Sequence, residues 1–250
     1  ISTPTMAPPR NTKLPASSRR PRRRVRQLAL AARGKGRGGW RAGAGRPRGR
    51  SDHYVPHVRR EALNRHHAAH VTLKRAPGLP SLRRRRAYAF IVKVFRAERS
   101  RKGFRLVHYA VRPDHLHLIC EADSSLALSR GIQRLGARLG RGLNRMFGRS
   151  GRLFADRFHG RVIKNPRQMR NALRYVLLNH AKDEQRRGGT RLGGIDAYDA
   201  YSSAHWFDGW KGRRSRAGPD ADAPVTTPRS WLLRTGWRRG GLIDPSDVPD

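Results

Sequence analysis

"FRLVHYAVRPDHLHLICEA", residues 104–122, has the pattern of two β-strands joined by a tight turn at "RPD". Side chains two residues apart in a strand lie on the same face of the sheet. His115 and His117 therefore point to one side of the second strand, whereas Leu116 and Leu118 point to the other. The hairpin is expected to present two imidazoles on one face and core-forming side chains on the opposite face.

The segments on either side of this hairpin predict an α+β fold. Alternating apolar residues indicate strands, whereas apolar residues spaced three and four apart indicate helices. The predicted elements are, in order, a strand at 69–75, a helix at 81–102 stopped by Gly103, the hairpin, a helix at 125–147, a strand at 152–163, and a helix with Asn165 as its N-cap. This β-α-β-β-α-β order is that of a ferredoxin-like sheet, here with an added C-terminal helix.

The charge of the chain indicates a polyanionic partner. Its 250 residues include 56 Lys and Arg but only 17 Asp and Glu, giving a formal net charge of +39. Nucleic acid is the default partner for such a chain. No apolar run reaches the roughly 20 residues that a membrane-spanning helix needs, and the single cysteine excludes an internal disulfide framework. We expect a cytoplasmic protein that is not associated with a membrane.

Composition divides the chain into three regions. Residues 1–52 are basic and rich in Gly and Pro, so this arm is expected to be disordered when free. It contains "AGRPRGR", in which Arg46, Pro47 and Arg48 resemble the core of an AT-hook that contacts the minor groove of DNA; the alternative is a merely solvated basic arm. We expect a catalytic domain at 53–182 and a Gly/Pro-rich extension with aromatic segments at 183–250.

The last predicted helix carries a tyrosine away from its packing face. Met169, Leu173 and Val176 fall on one apolar stripe at the 3.6-residue period, and Tyr175 lies roughly 130° from the centre of that stripe. Asn179 follows four residues later and shares the side of Tyr175. The helix therefore offers a phenol and an amide oxygen together.

These side chains suit metal-assisted phosphodiester chemistry. Two neutral imidazoles, from His115 and His117, and the carboxamide oxygen of Asn179 suit a divalent ion such as Mg or Mn. Such an ion polarises a phosphodiester, and the phenol of Tyr175 then becomes a useful nucleophile. The product would be a covalent phosphotyrosine.

The "DHLHL" strand, the "RLFADRFHGRVI" segment and the "Tyr-x-x-x-Asn" helix together resemble the HUH single-tyrosine (IS200-like) transposases, and more closely their REP-associated branch. The resemblance covers about residues 53–215. It implies that His115, His117 and Asn179 are metal ligands and that Tyr175 is the nucleophile. It further implies cleavage and rejoining of single-stranded DNA beside hairpins through a 5′-phosphotyrosine. Two features depart from the family: Asp114 stands where Asn is common, and the basic arm is long.

Other interpretations of the sequence stay open. The same scaffold could bind nucleic acid without chemistry, although the strands lack the paired aromatic residues of RNA-recognition sheets. Another HUH endonuclease, such as a relaxase or a replication initiator, is a third candidate. Arg134, Arg138 and Arg141 on the second helix form either a DNA-binding surface that follows the phosphates or an ordinary solvated face. The sequence fits a monomer or a homodimer.

Overall fold

The computed structural model describes residues 61–186, 198–212 and 222–247, with the side chains of 179–186 outside the description. The arm predicted at 1–52, including Arg46, Pro47 and Arg48, lies outside the described residues, as do the first residues of the region predicted at 53–182. Within the described part, no helix is both long enough and apolar enough to cross a membrane.

One antiparallel sheet organises the described residues. Its strand order is β2-β3-β4-β1-β5, so that β1 lies between β4 and β5 and pairs antiparallel with both. This is the pairing of a ferredoxin-like sheet with a short extra strand at one edge, which confirms the predicted fold class. The strands are β1 (Ala68–Lys74), β2 (Ser100–Arg101), β3 (Phe104–Val111), β4 (His115–Ala122) and β5 (His159–Ile163).

Helices cover both faces of the sheet. The first two pack on the face that presents Leu116, Leu118 and Cys120, and together they form one core. The third helix packs on the other face, where Ile119 and Val107 contribute to a second core. The helices are α1 (Arg85–Glu98), α2 (Ser125–Met146), α3 (Pro166–Arg186) and α4 (Trp231–Arg234), and two 3₁₀ segments span Ser203–Trp206 and Gly236–Gly240.

The first helix is shorter than its sequence pattern predicted. It begins at Arg85, not at residue 81, and ends at Glu98. Ser81 forms a turn instead, in which its side-chain oxygen accepts a hydrogen bond of 3.2 Å from the backbone N–H of Arg83. Gly103 does not end the helix, because it lies in the turn between β2 and β3 with a φ of +75°. Few other residues adopt that φ without strain.

The strand predicted at 152–163 is also shorter, because only His159–Ile163 pairs with β1. The loop before β5 runs beside the end of β1 and pairs with it only at isolated positions. One of these is a backbone hydrogen bond of 2.9 Å from Ala155 N–H to the Lys74 carbonyl. Leu153 and Phe158 are buried in the core. Their burial explains why this loop has an apolar pattern similar to that of a strand.

The aromatic C-terminal segment packs on the same domain. Trp210 and Trp237 are fully buried in the second core, together with Leu173 and Leu177 of α3. The segment is fixed to the sheet by Glu121 of β4, whose carboxylate accepts hydrogen bonds from the backbone N–H groups of residues 229 and 230. The tryptophans therefore share one core with the tyrosine-bearing helix.

Candidate functional site

Strand β4 presents the two histidines on one face of the sheet, as strand alternation predicted. The ring nitrogens Nε2 of His115 and His117 lie 2.8 Å apart. Leu116 and Leu118 point to the other face, where both are buried in the α1/α2 core. The burial of the leucines fixes the register of the strand, because a slip by one residue would send the histidines into that core.

Asp114 orients the first histidine. Its Oδ1 lies 2.7 Å from Nδ1 of His115. A carboxylate can only accept a hydrogen bond, so Nδ1 of the imidazole carries the proton and donates it. The Nε2 atom of His115 is thereby left with a free lone pair. Asp114, which stands where Asn is common in the transposases that the sequence resembles, thus holds His115 in the tautomer that a metal ligand needs.

The second histidine is held by β1. Nδ1 of His117 lies 3.2 Å from Nε2 of His70 and 3.3 Å from the hydroxyl of Thr72. His70 is not among the site residues that the sequence predicts. A signal was present, because His70 and Thr72 alternate along β1 and so share a face, but their contact with His117 depends on the cross-strand register.

Burial keeps these imidazoles neutral. It lowers the pKa of His70 to about 4 and the pKa of His117 to about 2, and nearby histidines and arginines add to both shifts. Burial also lowers the pKa of His115, against the opposing effect of Asp114. Although burial alone raises the pKa of Asp114, its hydrogen bond with His115 brings the pKa below its ordinary value. Neutral imidazoles and an ionised carboxylate are the forms that metal binding requires.

Helix α3 brings Tyr175 to the histidines. The centroid of its ring lies 5.0 Å from that of His117 and 5.6 Å from that of His70, in both cases edge to face. The tyrosine is 36% exposed, so its ring contacts the site while part of it faces solvent. The off-stripe position predicted for Tyr175 agrees with this placement, since Leu173 and Val176 of the same helix are buried.

The start of α3 is fixed by Asn165, the N-cap that the sequence predicted, together with Gln168. The side-chain oxygen of Asn165 accepts a hydrogen bond of 2.9 Å from the backbone N–H of Gln168. The side chain of Gln168 in turn accepts one of 3.0 Å from the N–H of Lys164. These two hydrogen bonds set where the helix begins, and thus which residue of α3 faces the histidines.

Asn179, the predicted third ligand, lies one helical turn after Tyr175 in α3. Its side chain is outside the described residues. Its place in the helix is consistent with the predicted spacing, and its role as a ligand stays a prediction.

The histidine pair fits a small divalent ion. Ions such as Mg²⁺ sit about 2.1 Å from their ligands, so two ligands at right angles stand about 3.0 Å apart. The two Nε2 atoms, at 2.8 Å, have nearly this separation. Among residues 61–186, 198–212 and 222–247, no group of three or more His, Cys, Asp or Glu side chains is arranged to hold a metal. An ion at His115 and His117 would therefore need additional ligands, such as an amide or phosphate oxygen.

A cleft opens beside the tyrosine. Its volume is about 310 Å³, and Tyr175 and His70 form one side of it. The cleft is also lined by Arg161, Gln168, Asn171 and Arg174. Arginine and amide side chains are suitable partners for phosphate oxygens.

The arginines predicted to bind DNA on α2 lie on the opposite face of the sheet. Glu98 of α1 pairs there with Arg138 at 2.5 Å and with Arg134 at 3.8 Å. Arg141 is exposed. Arg134 and Arg138 therefore help to join α1 to α2, and the structure does not bring any of the three arginines to the tyrosine. Their role in DNA binding stays a prediction.

A solved structure described as the REP-associated tyrosine transposase bound to a REP hairpin is similar to this chain, with 14% sequence identity and a TM-score of 0.48, covering 60% of this chain and 84% of that chain. No curated protein matches the chain. Residues 62–177, a little under half of the chain, match the family described as "Transposase IS200 like". This segment contains β1, the histidine pair and Tyr175.

Proposed function

We propose that the protein cleaves and rejoins single-stranded DNA with Tyr175 as its nucleophile. The observation that carries the proposal is the contact between the ring of Tyr175 on α3 and the ring of His117 on β4, at 5.0 Å. Two elements that are distant in sequence thus place a phenol beside a pair of neutral imidazoles. The match of residues 62–177 to the family described as "Transposase IS200 like" supports the same conclusion.

In the proposed reaction, a phosphate of the DNA backbone is transferred from a 3′-oxygen to the phenolic oxygen of Tyr175. The phenolic oxygen of Tyr175 attacks phosphorus and forms a new P–O bond, while the bond between phosphorus and the 3′-oxygen breaks. The 3′-oxygen gains a proton as the phenol loses one, leaving a 3′-hydroxyl and a 5′-phosphotyrosine. Because one phosphodiester replaces another, a 3′-hydroxyl of a second strand can reverse the step and rejoin the DNA.

His115, His117 and Asn179 are the residues that would hold Mg or Mn. When bound, such an ion supplies Lewis acidity toward a phosphate oxygen. The chain positions these ligands itself: Asp114 fixes the ring of His115, and His70 with Thr72 fixes the ring of His117. Buried and neutral, these rings are ready to bind a cation without first losing a proton.

The substrate we infer is a single strand next to a hairpin, as in the REP-associated branch that the sequence resembles. The cleft beside Tyr175 supports a backbone contact there, because Arg161, Gln168 and Asn171 line it. Histidines and tyrosine come from one chain, so a monomer can supply all of them, and a homodimer is the alternative. An enzyme of this type would act at the bacterial nucleoid.

A gel assay for covalent adducts tests the proposal. Purified full-length protein, Mn²⁺ and a labelled hairpin-bearing single strand are expected to give a band that survives denaturant. Tyr175→Phe should abolish the band. Tyr201→Phe is the matched control, because this half-buried tyrosine packs against Tyr88 and away from the histidines. It should leave the adduct unchanged.

Two results would count against the proposal. An adduct of undiminished yield in Tyr175→Phe would assign the nucleophile elsewhere. Tight binding of the same oligonucleotide with no adduct at any Mn²⁺ or Mg²⁺ concentration would favour the rival function, nucleic-acid binding without chemistry.

A further inference from the structure

A second basic cavity lies at the other end of β4 from the candidate site. Its volume is about 610 Å³, and it opens between the loop that precedes β1, the β2–β3 hairpin and residues 229–231. The tyrosine and the histidine pair take no part in it. Its cationic lining residues are Arg65, Arg101, Lys102, Arg105 and Arg229.

The acidic residues of this cavity do not cancel its charge. Glu121 accepts hydrogen bonds from the backbone N–H groups of Arg229, at 2.9 Å, and Ser230, at 2.8 Å, and its carboxylate also pairs with Arg105 at 3.6 Å. Asp123 is the other acidic residue of the lining. The side chains of Arg65, Lys102 and Arg229 are exposed around it. The cavity therefore keeps an excess of positive charge.

An exposed tryptophan stands at the edge of the cavity. Trp231 is 53% exposed, although it is among the largest apolar side chains of the described residues. Gly236 packs so closely against its ring that a Cβ atom there would lie 2.7 Å from it. The guanidinium of Arg239 lies 4.9 Å from the ring centroid. The ring is thus held on one side by the backbone, and it already has a flat cationic group stacked on it.

We propose that Trp231, Arg65, Lys102 and Arg229, here named the Trp231 surface, bind an unpaired stretch of nucleic acid. A fixed, half-exposed aromatic ring beside cations is the arrangement that takes single strands, with a base stacked on the ring and phosphates on the cations. Duplex nucleic acid fits less well, because pairing hides the base faces that would stack on Trp231.

The Trp231 surface is separate from the candidate site. Glu121 at its floor follows His117 by four residues on the same face of β4, which is about 13 Å along a strand at roughly 3.3 Å per residue. A single strand of nucleic acid bound to the Trp231 surface thus contacts the protein at a second site, in addition to the cleft beside Tyr175. The proposal concerns binding alone and does not depend on the tyrosine chemistry.

Photo-crosslinking tests the placement of the base. Full-length protein is irradiated with a single-stranded oligonucleotide that carries 5-iodouracil, and the modified peptide is identified by mass spectrometry. The expected crosslink is at Trp231, and the same oligonucleotide in a duplex should give much less of it. Tyr175→Phe should crosslink like the wild-type protein, which separates this proposal from the proposed reaction.

Affinity measurements test the cations and the ring separately. Trp231→Ala should weaken binding of the single strand about tenfold, which is within the range for the loss of one stacked base. The double variant Arg65→Gln/Arg229→Gln should reduce the slope of log affinity against log salt by about 1.4. The matched control, Arg85→Gln/Arg86→Gln at the exposed start of α1, removes the same charge and should leave that slope nearly unchanged.

Three results would overturn the proposal: crosslinks that fall outside residues 229–231, unchanged single-strand affinity in Trp231→Ala, or equal salt slopes in the two arginine double variants. Circular dichroism and thermal unfolding of each variant show that a loss of binding is not a loss of fold. Because Trp231 is exposed, its truncation should leave the unfolding temperature close to that of the wild-type protein.

Discussion

Asp114 controls how His115 meets a ligand. The carboxylate lies 2.7 Å from Nδ1, so it sets both the tautomer and the direction of the ring. An imidazole that lacks such a partner can rotate, or can carry its proton on the nitrogen that should bind the metal. We therefore predict that Asp114 acts through His115.

Asp114→Ala should raise the Mn²⁺ concentration needed for half-maximal adduct formation about 10- to 100-fold, the usual cost of losing a partner of a metal-binding histidine. Asp114→Asn should raise this Mn²⁺ concentration less, because the amide oxygen still accepts the hydrogen bond. A titration of adduct yield against Mn²⁺ measures both. Identical Mn²⁺ dependence in Asp114→Ala and the wild-type protein would refute this role of Asp114.

His70 shows where reasoning from sequence stops. The pair of His115 and His117 was readable from strand alternation alone, because both residues lie on one element. The contact of His70 with His117 requires β1 to pair antiparallel with β4 in one particular register. That register is set by the packing of both strands against α1 and α2, which local patterns do not encode.

Helix α2 packs closely on its neighbours through glycines. A Cβ atom on Gly131 would lie 2.3 Å from the ring of Phe104 on β3. A Cβ atom on Gly136, one turn and a residue further, would lie no nearer than 3.7 Å to any neighbour, an ordinary contact distance. The two positions share one helix but differ in the space available to a side chain.

Gly131→Ala should lower the free energy of unfolding by about 1–3 kcal/mol, because overpacking outweighs the gain in helix propensity. Gly136→Ala should raise it by about 0.5–1 kcal/mol, since there only the propensity gain applies. Urea denaturation of both variants measures the difference. The account of α2 packing is wrong if Gly131→Ala proves as stable as Gly136→Ala.

Helix α3 was the most predictable element and β5 the least. The cap formed by Asn165 and Gln168 is local, so the sequence alone located the start of the helix that carries Tyr175. Residues 152–158, in contrast, show an apolar pattern because Leu153 and Phe158 are buried, yet they form a loop. Burial imposes a similar pattern on loops and strands, and only pairing partners distinguish them.

The C-terminal segment makes one folded unit with the sheet, which its sequence did not reveal. His108 of β3 is buried where the two meet, with its Nδ1 3.2 Å from the hydroxyl of Ser203 and its ring against Phe207. Asp208 and Arg238 lie around the cavity next to it. Burial lowers the pKa of His108 to about 3.

Stability should therefore fall in mild acid. In the folded protein His108 stays neutral down to pH about 3, whereas the unfolded chain takes up a proton near pH 6.5. The stability that the neutral His108 contributes is fully present above pH 6.5 and is lost as the pH falls below that value. The free energy of unfolding should decrease by about 2 kcal/mol between pH 7 and pH 5 for this reason.

His108→Gln, which cannot be protonated, should lose about 2 kcal/mol less than the wild-type protein over that interval. Urea unfolding of both proteins at pH 7 and pH 5 gives the four free energies needed. Other titrating groups contribute equally to both proteins and cancel in the comparison. An equal acid loss in the two proteins would show that His108 is not the group responsible.

The meeting of Tyr175 with the histidine pair is the claim on which the proposed activity depends, and locating the covalent bond tests it most directly. The protein is incubated with Mn²⁺ and a hairpin-bearing single strand and is then digested with protease and nuclease. The modified peptide is identified by tandem mass spectrometry. We expect a nucleotide attached through its 5′-phosphate to the oxygen of Tyr175. A nucleotide on any other residue, or a cleaved strand with no modified peptide, would contradict the account.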